Sequence, residues 1–390
     1  MTAHAKLGAS SAARWLACPP SVALSATMPD TASSYAAEGT LAHSLAELSL
    51  RKYFVKGIGP KTYEKERQKL IDEAVFDGQP LYAKEMDGYV DIYVDYVKSV
   101  ALGCNMPYVV LEQRVDFSIW VPGGFGTADC IIISGDTLHV IDLKYGKGVP
   151  VDAEGNPQLQ LYGLGAYQMY KFLYDIKRVV LHIVQPRLNN ISKWEISVED
   201  LLAFGDYVGP IANLADKGEG EYKAGDWCQF CRARAVCRAR ADYNVQLAGF
   251  TAIEPGKLTN DEIGHYLELG ENVSSWLSDL KEYALSQCLA GNDVKGWKAV
   301  EGTSRRAWTD QEAAFKAIID SGVDEAMLYE RKPLTLASVE KMLGKKAFGA
   351  FAEYVCKPPG KPTLVVESDK REAIDNSVKA ENVFERAGEG

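Results

Sequence analysis

The sequence predicts an α/β fold in which helices flank a mixed central β-sheet, followed by a mostly helical C-terminal region. Two observations carry this prediction. Apolar residues recur at helical spacing over residues 38–52 and 81–102, and β-rich runs occupy residues 108–144 and 178–185. The order of elements, two helices, three strands, a helix and a strand, is typical of a sheet covered by helices.

Short local signals define several of these elements. Within residues 108–144, a first strand ends near Val115, and Gly135-Asp136 between two β-rich runs favours a two-residue hairpin turn. Asn156 and Pro157 are a typical N-cap and first residue of a helix, which we expect to end near Phe172. The strand over residues 178–185 stops at a proline.

Length and composition bound the class of protein. A chain of 390 residues exceeds what one hydrophobic core usually serves, so two domains are expected. The net charge of −10 argues against a protein that coats nucleic acid without sequence preference. Contacts with DNA would come from local basic clusters: Arg232, Arg234, Arg238 and Arg240 form one, and Lys298, Arg305 and Arg306 form another.

The N-terminal segment lacks the apolar stretch of a secretory signal, and no apolar run has the roughly 18 residues of a membrane span. We therefore expect a cytoplasmic protein without a membrane partner. The expected domains are residues 1–247, a mostly helical accessory domain over residues 248–365 and a polar tail over residues 366–390. Further predicted elements of the C-terminal region are helices over residues 260–289, 310–320 and 336–354 and a short hairpin over residues 296–308.

The hairpin brings charged residues together. Across a two-residue turn, residues whose numbers sum to 271 lie opposite each other, which places Asp129 opposite Asp142. Lys144 shares a strand face with Asp142. Two neighbouring carboxylates need a positive partner, either Lys144 or a divalent cation such as Mg²⁺ or Mn²⁺. Such a cation suits phosphodiester hydrolysis, and a structural salt bridge between the lysine and the aspartates is the alternative.

Other polar residues are candidates for the same site. His43 lies on the first predicted helix, and Gln158 and Tyr162 share a face of a later helix, where they offer hydrogen-bond donors to a phosphate or a base. Glu112, on the strand before the hairpin, offers a third carboxylate. The alternative for each is an ordinary structural role on a helix or a solvent-facing strand.

Three cysteines form the most specific local pattern. Cys228, Cys231 and Cys237 offer three thiolates in one short segment, which in an intracellular protein favours a metal site over disulfides. Zn²⁺ or an iron–sulfur cluster needs four ligands, and Cys18 is the natural fourth. Such a distant ligand would tie the N-terminal segment to the end of the domain. The alternatives are a zinc site without Cys18 and no metal.

Taken in order, these motifs resemble the PD-(D/E)XK nuclease superfamily, specifically the RecB-like exonucleases. That branch includes the AddB nuclease domain and CRISPR-associated exonucleases with a [4Fe-4S] cluster. The resemblance covers roughly residues 10 to 240. Its motifs are Cys18-Pro19, Gly39-x-x-x-His43, Gly126-x-x-Asp129, Asp142-x-Lys144, Gln158-x-x-x-Tyr162 and the three-cysteine segment.

The resemblance implies a restriction-endonuclease-like core and a role for each residue. Lys144 would act on the nucleophilic water, and Gln158 and Tyr162 would contact DNA near the scissile phosphate. The four cysteines would hold a [4Fe-4S] cluster in preference to zinc. The expected ligands of Mg²⁺ or Mn²⁺ are His43, Asp129, Asp142 and the backbone carbonyl of Leu143.

The function that the resemblance favours is a metal-dependent DNA exonuclease. The whole chain is similar to phage and prophage proteins that carry this core, which tend to be encoded near single-strand-binding or annealing proteins. We therefore expect a role in phage replication or recombination, with DNA and such a protein as partners. A structure-specific endonuclease and a non-catalytic DNA-binding or scaffolding protein are the alternatives. Residues 250–390 resemble no exonuclease, and the chain has no Walker motif.

Overall fold

The structure is a computed structural model that describes residues 5–29, 33–55, 57–245, 259–300 and 311–320, with a few isolated positions beyond them. The chain forms two compact units, Met1–Val300 and Glu301–Gly390. The boundary predicted between residues 247 and 248 lies outside the described residues, as do the polar tail and nearly all of the helix predicted over residues 336–354. These three expectations stay predictions.

Helices make up most of the described chain. None of the described helices combines the length and apolar character that a membrane crossing requires. The α-helices of the described residues are α1 (Ala12–Ala17), α2 (Ser21–Ala26), α3 (Ser34–Phe54), α4 (Pro60–Glu73), α5 (Glu85–Leu102), α6 (Pro157–Tyr170), α7 (Val198–Lys217), α8 (Arg238–Val245), α9 (Asn260–Leu289) and α10 (Gln311–Asp320).

The first unit is built on a five-stranded mixed sheet. Its order is β3-β4-β5-β6-β7; β5 and β6 are parallel, and the other neighbours are antiparallel. This arrangement confirms the predicted α/β class with a mixed central sheet. The strands are β1 (Val75–Phe76) and β2 (Gln79–Pro80), which form a separate small ribbon, and β3 (Tyr108–Asp116), β4 (Phe125–Ser134), β5 (Thr137–Leu143), β6 (Arg178–Gln185) and β7 (Asn190–Ser197) of the main sheet.

Helices cover both faces of this sheet because its central strands are apolar on both sides. On one face, Ile131 and Val140 pack in a cluster with Leu161 of α6 and Leu201 of α7. The opposite face forms a second cluster, in which residues of the sheet pack against residues of α3 and α5. Members of this second cluster include Ile132 and Ile141 from the sheet, Leu45 from α3 and Val94 from α5.

The predicted hairpin register is confirmed for most of its length. Ser134 pairs with Thr137, and the pairing continues with residue numbers that sum to 271 as far as Cys130 and Ile141. The next expected pair, Asp129 with Asp142, is not formed. The ladder ends there, and the Asp129 carboxylate instead accepts a hydrogen bond from a backbone N–H of β5. A carboxylate that satisfies a main-chain donor replaces one rung of the ladder.

Several predicted helix and strand ends are also confirmed. The Asn156 side chain caps α6 by accepting hydrogen bonds from the backbone N–H groups of Gln158 and Leu159, and Pro157 is the first helical residue. The strand predicted over residues 178–185 and the helix predicted over residues 260–289 have the same bounds in the structure.

The sequence patterns did not predict α4, β7 or α7. A left-handed Asn189, with φ of 49°, ends the turn that leads into β7. A capping box, in which Ser197 and Asp200 satisfy each other's backbone N–H groups, begins α7 directly after that strand.

Candidate functional site

One group of possible metal ligands forms where α3 crosses the sheet. The ligand atoms of His43 from α3, Glu112 from β3 and Asp129 from β4 all lie within 4.8 Å of one another. His43 Nδ1 is 3.3 Å from Asp129 Oδ2. The same carboxylate oxygen accepts a hydrogen bond of 2.7 Å from the backbone N–H of Leu143. Asp129 therefore connects the helix to β5.

Asp142 and Lys144 form a second, adjoining part of the site, facing α6. Lys144 Nζ lies 2.9 Å from Asp142 Oδ2 and donates a hydrogen bond of 2.7 Å to Gln158 Oε1. Gln158 Nε2 donates to Asp142 Oδ1 and to the Tyr162 hydroxyl, each at 3.2 Å. The amide of Gln158 thus holds the lysine and the aspartate at the same time, and its orientation follows from their opposite charges.

The predicted ligands have the donor atoms and the surroundings that a divalent cation needs. Asp142 is 2% exposed, and its Oδ2 atom faces Lys144 Nζ at 2.9 Å. The nearby Glu112 and Asp129 carboxylates pair with no lysine or arginine among the described residues, and such concentrated negative charge carries a cost that a metal ion removes. Oxygen atoms from carboxylates, with one imidazole nitrogen, are a donor set that suits Mg²⁺ or Mn²⁺. The residues therefore fit such an ion.

The carboxylates of this site crowd one another. Burial alone lowers the pKa of His43, but Asp129, with smaller effects of Asp142 and Glu112, raises that pKa to about 9. Burial and the neighbouring Asp129 raise the pKa of Glu112 to about 8. Burial also raises the pKa of Asp142, and Lys144 partly offsets this rise. Both carboxyl groups hold their protons more tightly than usual, first because they are buried and second because negative charge is concentrated here.

Two glycines of the sequence motifs behave differently. A Cβ atom added to Gly126 would lie 2.7 Å from Cε1 of Tyr162, so the absent side chain makes room for that ring. A Cβ atom added to Gly39, one turn before His43 on α3, would meet no described atom within 4 Å. Packing thus explains Gly126, whereas the space above Gly39 is left open.

The four predicted cysteine ligands line one small cavity, although no three of their sulfur atoms lie within 4.8 Å of one another. Cys18, which follows α1, lines one small cavity with Cys228, Cys231 and Cys237. Three of the four sulfur atoms have hydrogen-bonding neighbours. The backbone N–H of Lys223 donates to Cys18 Sγ at 3.5 Å, that of Gly225 donates to Cys228 Sγ at 3.4 Å, and the Ser25 hydroxyl lies 3.4 Å from Cys231 Sγ.

Basic side chains surround the cysteine cavity. Arg14, Arg234 and Arg240 line it. Arg234 Nε donates a hydrogen bond of 2.7 Å to Asp279 of α9, and Arg240 forms an ion pair with the same carboxylate. Within the first basic cluster predicted to contact DNA, Arg234 therefore lies at this cavity, and Arg232 is an exposed residue beside Cys231. Their contact with DNA stays a prediction.

Glu112 is the residue whose position the sequence did not place. In the structure it lies across from Asp129, because the flanking pairs are Leu111 with Cys130 and Gln113 with Ala128. No tight turn joins β3 to β4, so the sequence carries no signal for this register.

The described part of the chain is thus an α/β protein with a carboxylate–histidine–lysine site on its sheet and a separate four-cysteine cavity. The chain belongs to the family described as protein of unknown function (DUF2800), whose model matches residues 4–372. One solved structure, titled "Crystal structure of SSO0001", is similar at 16% identity over 50% of this chain and 95% of that chain, with a TM-score of 0.23. At that TM-score the similarity supports no argument.

Proposed function

We propose that this protein is a metal-dependent deoxyribonuclease with a restriction-endonuclease-like core, and that it acts as a DNA exonuclease. The proposal rests on one observation: polar side chains from the sheet and from two helices meet at one site. These are Asp129, Asp142, Lys144, His43 and Gln158. An isolated salt bridge needs only a lysine and an aspartate. The additional histidine, carboxylates and amide are what phosphodiester hydrolysis needs.

The proposed ligands are His43, Asp129, Asp142 and the backbone carbonyl of Leu143. When bound, Mg²⁺ or Mn²⁺ would polarise the phosphate and lower the pKa of a water molecule. The Lys144 ammonium, 2.9 Å from Asp142, would orient that water or stabilise negative charge on the phosphate.

Gln158 positions the lysine and donates to Tyr162, so we propose that this pair lies along the DNA strand beside the scissile phosphate. The open space above Gly39 supports a substrate path next to His43. A glycine inside a helix costs roughly 0.5–1 kcal/mol relative to alanine, and no packing contact offsets that cost here. Close approach of a ligand backbone is a reason for such a residue. DNA as the substrate and exonuclease action rest on the motif resemblance.

For the cysteine cavity we propose a [4Fe-4S] cluster, with structural Zn²⁺ as the alternative. Burial raises the pKa of the Cys228 thiol, and the backbone N–H of Gly225 and the Arg240 guanidinium partly offset this rise. A bound metal would supply the further positive charge that a thiolate needs there. Because Cys18 lies about 210 residues before Cys228, the cluster would close a very long loop. We propose a stabilising role for it.

The proposed biological role is phage replication or recombination in the cytoplasm, with a single-strand-binding or annealing protein as a partner. This role follows from the resemblance of the whole chain to phage and prophage proteins. A structure-specific endonuclease is the alternative enzymatic function, and a non-catalytic DNA-binding or scaffolding protein is the alternative without catalysis.

A nuclease assay tests the proposal. Purified protein would be incubated with linear and circular DNA, single- and double-stranded and labelled at the 5′ or 3′ end, with Mg²⁺, Mn²⁺ or EDTA. We expect metal-dependent loss of linear DNA, and we expect Asp142→Ala and Lys144→Ala to abolish it. Lys147→Ala, an exposed lysine three residues away, is the matched control and should retain activity.

Each alternative has its own outcome. Cleavage of circular DNA would identify an endonuclease. DNA binding without cleavage in either metal would identify the non-catalytic alternative. Undiminished degradation by folded Asp142→Ala protein would contradict the assignment of the site.

A further inference from the structure

We infer that Glu112 is a third carboxylate ligand of the divalent cation, so that the ion is held among Glu112, Asp129 and His43 on the side of the site that faces α3. The inference deepens the proposed function and rests on it for the presence of a divalent cation. The motifs of the sequence do not include Glu112.

The positions of the three ligand atoms support this role of Glu112. The ligand atoms of Glu112, Asp129 and His43 lie within 4.8 Å of one another, and no other such group of three occurs among the described residues. Ligands about 2.0–2.2 Å from one Mg²⁺ or Mn²⁺ ion are separated by at most about 4.4 Å, so only a small movement closes the group around an ion. Asp142 is outside this group and already contacts Lys144 and Gln158.

The backbone conformation of Glu112 also supports its role as a ligand. Its φ is 48°, a left-handed conformation that is costly for a residue with a side chain, and it occurs in the middle of β3. Ladder pairs are present on both sides, between Leu111 and Cys130 and between Gln113 and Ala128, but not at Glu112 itself. A strand thus gives up one regular residue where a carboxylate meets Asp129, and strain of this kind is concentrated at functional sites.

The charged groups around the Glu112 carboxylate support the same role. No described residue donates a hydrogen bond to the Glu112 carboxylate or forms a salt bridge with it. Glu47 lines the same small pocket and adds further negative charge. His43 is the basic residue of this pocket, and it already faces Asp129 at 3.3 Å. On the other side of the site, the Asp142 Oδ2 atom already faces Lys144 Nζ at 2.9 Å, whereas no described lysine or arginine pairs with Glu112.

Placing the ion next to Glu112 separates the work of the two sides. His43, Glu112 and Asp129 would hold the cation on the α3 side. Asp142, Lys144 and Gln158 would remain joined to one another on the α6 side, where Lys144 can reach a phosphate oxygen or a water molecule. Asp142 would then approach the ion with Oδ2, the oxygen that also faces Lys144, because Oδ1 accepts from Gln158.

The test measures Mn²⁺ binding to the full chain, by calorimetry and by counting free Mn²⁺ with electron paramagnetic resonance. Glu112→Gln removes the charge and keeps the shape, and Glu112→Gly also removes the strain of the left-handed backbone. We expect both variants to bind Mn²⁺ at least about tenfold more weakly than the wild type. Glu47→Gln, in the same pocket but outside the ligand group, is the matched control and should change the affinity less than about twofold.

Stability separates a ligand from a structural residue. In EDTA we expect Glu112→Gly to melt above the wild type, because repulsion and strain are both relieved. We expect the rise of Tm on adding Mn²⁺ to shrink in both Glu112 variants. Wild-type Mn²⁺ affinity in these variants would overturn the inference, as would a wild-type chain that binds no Mn²⁺. Mn²⁺ binding through Glu112 without DNA degradation would support the inference and contradict the proposed function. Metal-dependent DNA degradation with unchanged Mn²⁺ affinity in the Glu112 variants would support the proposed function and contradict the inference.

Discussion

The carboxylate site and the cysteine cavity are assembled in different ways. Neighbouring strands of one sheet, β3 to β5, supply Glu112, Asp129 and Asp142, and the packed helices α3 and α6 complete that site. The cysteine cavity instead joins a residue near the N-terminus, Cys18, to a segment more than 200 residues later that contains only short helical turns. The sheet and its helices provide the frame of the first site, whereas we expect the second to depend on the metal proposed for its cysteines.

Because the two sites are assembled differently, removal of the proposed metals should affect catalysis at one site and stability at the other. Loss of the divalent cation should abolish catalysis and leave the folded sheet intact, since the sheet's own hydrogen bonds and apolar clusters hold the ligands. Loss of the cysteine-bound metal should reduce stability, because metal binding to dispersed ligands is part of the folding free energy.

The largest effect is expected for Asp142→Asn. Activity on linear DNA should fall on the order of 10²–10³-fold, because the variant removes the negative charge that would bind the cation and weakens the ion pair with Lys144. Its Tm should stay at or above that of the wild type, since a buried charge has been removed. Rate assays and calorimetry measure the two quantities. A large drop in Tm that parallels the loss of activity would contradict the proposed division.

The next effect is expected for Cys18→Ser. Metal content should fall, and the melting temperature should drop by several degrees, because the metal would no longer link the segment around Cys18 to the three later cysteines. Iron, sulfide and zinc analysis after anaerobic purification measures the content, and a brown protein supports the cluster. A colourless protein with stoichiometric zinc would support the alternative metal. Cys288→Ser, which removes a thiol outside the cavity, is the control and should retain full metal content.

An intermediate effect concerns a pair of histidines on the central sheet, the buried His182 and the half-buried His139. His182 Nε2 lies 3.1 Å from His139 Nδ1, and the Tyr96 hydroxyl lies 2.9 Å from His182 Nδ1. Burial, with the effect of Lys193, lowers the pKa of His139 to about 4, and burial lowers that of His182 to about 3. Both histidines are therefore neutral in the folded protein at neutral pH.

The sign of the pH effect follows from these lowered pKa values. An unfolded histidine takes up a proton near pH 6.5, whereas the folded pair resists it, so stability is fully present above pH 6.5 and is lost as the pH falls toward 4. We expect His182→Gln to cost about 1–2 kcal/mol at pH 7.5 through lost hydrogen bonds and clearly less at pH 5. Urea denaturation at both pH values measures this. His265→Gln, an exposed position on α9, should leave the pH dependence unchanged.

The smallest effect on stability is expected for Gly39→Ala. The added methyl group meets no described atom, and alanine favours a helix, so the protein should become more stable by roughly 0.5–1 kcal/mol. If DNA passes close to α3 at this point, the same change should raise KM for DNA. Gly39→Leu should raise it further. Equal KM values in all three proteins would show that the open space is not on the substrate path.

Short-range patterns determined much of this fold and part of its site. The Gly135-Asp136 turn defined the β4–β5 register, and Asn156-Pro157 defined the start of α6, because each signal acts through hydrogen bonds within a few residues. Alternation along β5 predicted that Asp142 and Lys144 share a face, and in the structure both contact Gln158.

Tertiary structure decided what no short turn constrains. The β3–β4 register places Glu112 across from Asp129, and the ladder opens at Asp129 so that its carboxylate turns toward His43. The meeting of Cys18 with the later cysteines was expected from the spacing and the ligand count, yet only packing of the whole first unit can realise it. The physical reason is common to these cases: contacts between distant residues depend on the packing of many elements, whereas a turn or a helix cap depends on the residues beside it.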